Sequence, residues 1–126
     1  MLVGTGTDLI EIARIRGSIA RFGERFLRRV FTPGEIAYCE RKKNAAESYA
    51  GRFAAKEAAA KALGTGIAMG VTWLEIEVRR EPGGRPTVHF MGRARARAEA
   101  MQVAAASLSI THSRELALAT VMLESK

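Results

Sequence analysis

Gly51-Arg52-Phe53-Ala54-Ala55-Lys56-Glu57-Ala58-Ala59-Ala60-Lys61-Ala62-Leu63 is the stretch on which the reading of the fold turns. It is dense in strong helix formers and Gly64 supplies a stop, so it predicts a helix beginning near Ala46. Its many small side chains let neighbouring elements approach closely from both sides. Phe53, Glu57, Ala60, Lys61 and Gly64 share one face, which sets a carboxylate and an ammonium beside an aromatic ring. An ordinary Glu-to-Lys pair four residues apart, worth about 0.2–0.5 kcal/mol, would account for those two charges taken alone.

Toward the N-terminus, Leu2 to Ile10 alternates as a strand, with Gly4, Gly6, Asp8 and Ile10 on one face. Two glycines ahead of an acid leave space for something to approach the backbone beside Asp8. The competing role for Asp8 is a cap on the next helix. From Glu11 to Val30 the period becomes helical, with Ile12, Ile15, Ile19, Phe22, Phe26 and Val30 on the apolar side. Arg14, Arg21, Arg25 and Arg28 form a separate stripe without an acid, either a solvated face or a docking surface, and Gly17 and Gly23 mark a kink or break. Thr32-Pro33-Gly34-Glu35 has the pattern of a capping box opening a short helix that ends in Lys42-Lys43-Asn44.

Toward the C-terminus, Trp73 to Arg80 alternates as a strand, Glu81 to Pro86 is a turn, and Thr87 to Phe90 returns to form a hairpin. Gly92 to Val103 reads as a further helix. Ala106 to His112 and Leu116 to Leu123 read as buried strands joined through Ser113-Arg114-Glu115. The order predicts an α+β fold with an antiparallel sheet packed on a long helix, as a single domain over 1–126.

Composition narrows the function classes. With 126 residues and 48% hydrophobic side chains, the chain has enough apolar surface for a real core, and disorder is excluded. Its apolar runs fall short of the roughly 18 residues a membrane span needs, and no charged signal start is present, so a soluble, cytoplasmic protein is expected. A lone Cys39 fits a reducing compartment. Twenty basic residues against 13 acidic ones give a net charge of +7, which favours an anionic partner. Nucleic acid fits poorly, because Phe22 and Phe26 point away from the arginines as core residues do. A non-catalytic oligomer would use the apolar final strands but leaves Asp8, Glu57 and Lys61 without a role.

No Ser-His-Asp pattern, zinc spacing, Walker loop or dinucleotide fingerprint occurs. Gly64-Thr65-Gly66 is too short for a phosphate loop and follows a helix C-terminus, whose dipole disfavours anions. Asp8 and Glu57 are suited to a hard-oxygen site of the kind magnesium uses when phosphates complete its coordination. His89 reads as a packed strand residue. His112, flanked by Thr111, Ser113 and Arg114, is placed to hold a phosphate or a purine edge.

Taken together, Gly4-x-Gly6-x-Asp8-Leu9-x-Glu11-x-x-Arg14-Ile15, Arg52-Phe53-Ala54-Ala55-Lys56-Glu57-Ala58-x-x-Lys61-Ala62-x-Gly64-Thr65-Gly66, Gly84-Arg85-Pro86 and Ser109-Ile110-Thr111-His112-Ser113 resemble the holo-acyl-carrier-protein synthases, small 4'-phosphopantetheinyl transferases. Leu63 and Leu116 stand where that family often has aromatic residues. The resemblance implies transfer of 4'-phosphopantetheine from coenzyme A to a serine of apo acyl carrier protein in fatty acid biosynthesis, releasing adenosine 3',5'-bisphosphate. It implies Mg2+ on Asp8 and Glu57, with Lys61 beside the pyrophosphate. The serine proton goes to Glu57 itself or to a metal-bound water oriented by Glu35. By the same resemblance the protein is a homotrimer with sites between subunits. Arg52, Gly64 and Thr65 would contact coenzyme A from one chain, and Gly84, Arg85, Pro86, Thr111, His112 and Ser113 would hold its phosphoadenosine part from the other. The stripe of Arg14, Arg21, Arg25 and Arg28 would then meet an acidic carrier protein.

Overall fold

The structure, a computed structural model, describes residues 1–126. Its centre is α4, Ala45–Ala62, in which eleven of 18 residues are buried. A helix covered on both sides needs small side chains, and Ala50, Ala54, Ala55, Ala58, Ala59 and Ala60 are all fully buried. Asn44 caps its start by accepting from the Glu47 N–H. At its end the Arg97 guanidinium donates to the Leu63 carbonyl at 2.8 Å, satisfying one of the orphan acceptors there.

One side of α4 rests on a three-stranded antiparallel sheet in the order β1 (Leu2–Glu11), β5 (Leu116–Glu124), β4 (Ala105–His112). Asp8 lies opposite Ala119, and Ala119 lies opposite Ile110. Ala117, Ala119, Val121 and Leu123 point from β5 into the core and are fully buried. The two β1 glycines allow a very close approach. A methyl group at Gly6 would overlap the Ala58 carbonyl, and one at Gly4 the Ala62 carbonyl.

The remaining elements are α1 (Ile12–Phe22), α2 (Glu24–Val30), α3 (Pro33–Glu40), the hairpin β2 (Ile76–Arg80) and β3 (Pro86–Phe90), and α5 (Gly92–Ala100). The five strands therefore form two sheets rather than one. The helical segment after β1 breaks at Gly23, which has φ +57°, while Gly17 stays helical. The break resets the helical phase: Leu27 and Val30 enter the core, and Phe22, expected there, is 50% exposed. Trp73–Glu75 is a 3-10 turn instead of strand, because Thr72 and Glu75 form a capping box.

α3 is joined to α4 and β2 by a buried polar junction. Glu35 completes the predicted capping box, its Oε1 accepting from the Thr32 N–H at 2.9 Å. The same oxygen accepts from Lys56 Nζ at 2.6 Å, and Oε2 accepts from the Val78 N–H at 2.7 Å. Both side chains of the Glu35–Lys56 pair are completely buried. Burial pushes the Lys56 ammonium down, and the Glu35 charge opposes that shift.

Removing one partner of such a pair strands the other charge in the core. Lys56→Met is expected to lower unfolding free energy by about 3–5 kcal/mol in urea titrations, far beyond the effect of a surface lysine. A loss below about 1 kcal/mol would mean that the junction contributes little to stability.

Candidate active site

Asp8 and helix α4 make the first cluster of charges. Asp8 lies on the face of β1 that meets α4, and its Oδ1 accepts from Lys61 Nζ at 3.1 Å. Lys61 also donates to the Thr7 carbonyl at 3.1 Å, so the lysine reaches across to β1 and not back to Glu57. Asp8 does not cap α1, whose N-cap Glu11 makes no side-chain cap bond. Glu57 lies one turn before Lys61. Burial and the Asp8 charge push its carboxyl up, against the pull of Lys61 and Arg14. The sequence-predicted trio therefore meets, and Arg14 joins its field.

This donor set suits a hard divalent cation. A cation beside Asp8 and Glu57 would relieve the repulsion between the two carboxylates. No group of three histidine, cysteine or acidic residues forms a full protein cage. Two carboxylates with the remaining positions left to water and phosphate is the arrangement magnesium favours.

A second cluster lies toward the other edge of the sheet, beside β4. Tyr38, Lys42, Lys43, Arg52, Arg80 and His112 help to line a cavity of about 490 Å³ that Pro86 also borders. Arg52 is 4% exposed, and its buried Nε has no hydrogen-bond partner. The guanidinium stacks on the Tyr38 ring with Cζ 3.9 Å from the ring centroid. Burial would raise the Tyr38 hydroxyl, but Arg52, Lys42 and Arg80 outweigh it and hold the group below its ordinary value. His112 Nε2 lies 3.4 Å from Glu47 Oε1, the one acid on the cavity wall. An excess of cations around an unsatisfied guanidinium is a site for an anion.

The two clusters face different ways. Arg52 and Glu57 are five residues apart, which turns them about 140° around α4. Asp8 belongs to β1 and His112 to β4, the two outer strands of one sheet, about 10 Å apart across β5. Arg52 was expected to act beside the Gly64 turn, but within one chain it sits with Pro86 and His112.

The other expected residues fall as follows. At the end of α4 the Thr65 and Gly66 N–H groups both donate to the Ala60 carbonyl, so they close the helix and do not cradle a phosphate. Gly84 and Arg85 lie in the exposed β2–β3 turn. Thr111 sits on the outer face of the sheet, in register with Leu118. The Ser113 hydroxyl accepts from the Leu116 N–H and shapes the β4–β5 turn. Glu35 was one of two candidates for handling the serine proton, by orienting a metal-bound water at the acidic cluster. Its oxygens are instead engaged by Thr32, Lys56 and Val78 in the core, so the capping-box role is the one it has.

Arg14, Arg21, Arg25 and Arg28 are all exposed but are divided between α1 and α2. Arg28 pairs with Glu24 at 3.3 Å, and Arg21 covers the Phe22 ring. The sequence reading missed Tyr38, Lys42, Lys43 and Arg80. The one available signal was Lys42-Lys43, which it used only as helix-terminal charge. Cys39 is fully buried with its thiol pushed up to about 12, an inert core residue.

Comparison with known proteins identifies the family. The 4'-phosphopantetheinyl transferase superfamily matches residues 4–121. A holo-[acyl-carrier-protein] synthase of Koribacter versatilis is 55% identical over 124 residues, covering 98% of this chain and 99% of the relative. The Rhizobium meliloti holo-[acyl-carrier-protein] synthase is 52% identical over 98% of this chain and 92% of its own length. Among solved structures, the Neisseria meningitidis synthase superposes with a TM-score of 0.89 at 34% identity, over 99% of this chain and 100% of that one. The Helicobacter pylori synthase in complex with coenzyme A gives 0.84 at 33% identity, over 95% and 99%.

The Glu57 environment carries a signed pH effect. With its folded pKa raised, the folded state binds more protons than the unfolded chain between the ordinary glutamate value and the raised one. Stability therefore falls as pH climbs through that window and stays lowered above it. Without divalent cations, Glu57→Gln is expected to remove this slope and to melt higher than the parent at neutral pH. A thermal midpoint at or below the parent's across the pH series would contradict the assignment.

Proposed function

Because the chain belongs to the 4'-phosphopantetheinyl transferase superfamily, as a holo-[acyl-carrier-protein] synthase that moves phosphopantetheine from coenzyme A to acyl carrier protein, we propose how its residues divide the work. The observation that carries the reading is the meeting of Asp8, Glu57 and Lys61 at the β1–α4 contact.

Asp8 and Glu57 hold Mg2+, which when bound neutralises charge on the pyrophosphate. Lys61 is half exposed and free to exchange Asp8 for phosphate oxygens, adding a fixed positive charge where the leaving group gains electrons. The serine hydroxyl of the carrier attacks the phosphorus that bears pantetheine, and the bond from that phosphorus to the bridging oxygen breaks. Adenosine 3',5'-bisphosphate leaves with that electron pair. With Glu35 committed to the core, the serine proton falls to Glu57.

The Arg52 cavity takes the phosphoadenosine end of coenzyme A. Gly64, Thr65, Gly84, Arg85, Pro86, Thr111 and Ser113 line the path along the turns and edges that flank the two clusters. Because the clusters face apart, one coenzyme is shared between chains. The acidic cluster of one subunit faces the Arg52 cavity of the next in a head-to-tail homotrimer. An uncharged outer sheet face supports self-association. Leu9 is 59% exposed and Met122 46%, beside Thr5, Thr7, Thr120, Ser107 and Ser109. The arginines of α1 and α2 dock the acidic carrier. No helix is long and apolar enough to cross a membrane, and we place the enzyme in the cytoplasm, in fatty acid biosynthesis.

Incubation of apo acyl carrier protein with this protein, coenzyme A and Mg2+ is expected to add one phosphopantetheine to the carrier by intact mass. Chelation or Glu57→Gln should slow that reaction by about 100-fold or more. Reversing Arg21 and Arg25 should raise KM for the carrier and spare that for coenzyme A. No mass gain from a folded protein with several carriers would overturn the assignment.

A further inference from the structure

Tyr38, on α3, is the point on which the cationic cavity converges. Its ring carries the Arg52 guanidinium at 3.9 Å, Lys42 Nζ at 4.7 Å and the Arg80 guanidinium at 5.7 Å from the centroid. Those three cations come from different elements: α4, the α3–α4 connection and the end of β2. Arg52 has no hydrogen bond to hold its head in place, and its Nε is buried without a partner. Arg80 is tied in turn to the Gly84 carbonyl of the hairpin turn.

A buried guanidinium with no acceptor and two other cations close by should swing away or draw in an anion. An aromatic face offers the attraction that offsets this repulsion without occupying the N–H groups. The donors therefore stay open to a ligand.

We propose that Tyr38 is a positioning residue: its ring presets the Arg52 guanidinium, with Lys42 and Arg80, for a phosphate group of coenzyme A. This rests on the functional reading above and assigns Tyr38 no contact with the reacting atoms. The face of the ring is what holds Arg52, so phenylalanine should serve nearly as well and leucine should not.

Initial rates separate the possibilities. Tyr38→Leu is expected to raise KM for coenzyme A about tenfold, with kcat and the carrier KM within about twofold. Tyr38→Phe should restore the parental KM. Arg52→Met keeps the buried stem, and adding Tyr38→Leu to it should cost clearly less than Tyr38→Leu costs alone, since Tyr38 acts chiefly through Arg52. Additive effects, an unchanged KM in Tyr38→Leu, or a Phe variant as impaired as Leu would overturn the proposal. If Tyr38→Leu does not fold, Phe rescue and the Arg52→Met background with Tyr38→Phe decide, a Phe variant with raised KM overturning it. A parent that does not bind coenzyme A by calorimetry overturns the functional reading and this inference with it. A parent that binds and a Tyr38→Leu variant that binds coenzyme A with parental affinity overturn the inference alone.

Discussion

The ion pair between Lys56 and Glu35 governs how the rest of the molecule is arranged. It lies completely buried between α3 and α4, and the same carboxylate accepts the Val78 N–H of β2 and the Thr32 N–H. Two elements, α3 and β2, are thereby fixed against the middle of α4. A charge here has nowhere else to go, because both ions are out of water and each satisfies the other. Arg52 lies one turn before Lys56 and Glu57 is the next residue. The junction thus sets the rotation of α4, and with it the directions of both functional clusters.

The second constraint is steric. β1 lies so close to α4 that only glycine fits at positions 4 and 6, where the Ala62 and Ala58 carbonyls stand in the way of any Cβ. That contact brings the carboxylate of Asp8 to Lys61, 53 residues away in sequence. A helix of small residues and a strand with two glycines are one device, and its product is an acidic site on a rigid support.

Much of this is legible in the residues. The alanine run predicts α4 because local propensity and burial agree there, and the alternation of β1 places Gly4, Gly6 and Asp8 on one face. The capping box at Thr32 and Glu35 follows from local pattern alone. What the sequence did not show depends on distance in the chain. Lys56 carries no local sign of burial, and only the Phe31 ring beneath its ammonium and the Glu35 carboxylate beside it make it a core residue. The arginine stripe drawn on one continuous helix is interrupted because Gly23 takes a left-handed conformation. Tyr38 carries no motif, and its role exists only once Arg52 and Arg80 arrive from other elements.

In the proposed assembly the active site is shared, with catalytic carboxylates from one subunit and the Arg52 cavity from the next. Co-refolding Glu57→Gln chains with Arg52→Met chains in equal amounts tests this most directly, each variant being nearly inactive by itself at coenzyme A concentrations well below the raised KM of Arg52→Met. Random mixing should leave about a quarter of the sites with two intact halves, and so about a quarter of parental activity. Activity no greater than the sum of the two variants, from chains shown to have mixed, would contradict a site built between subunits.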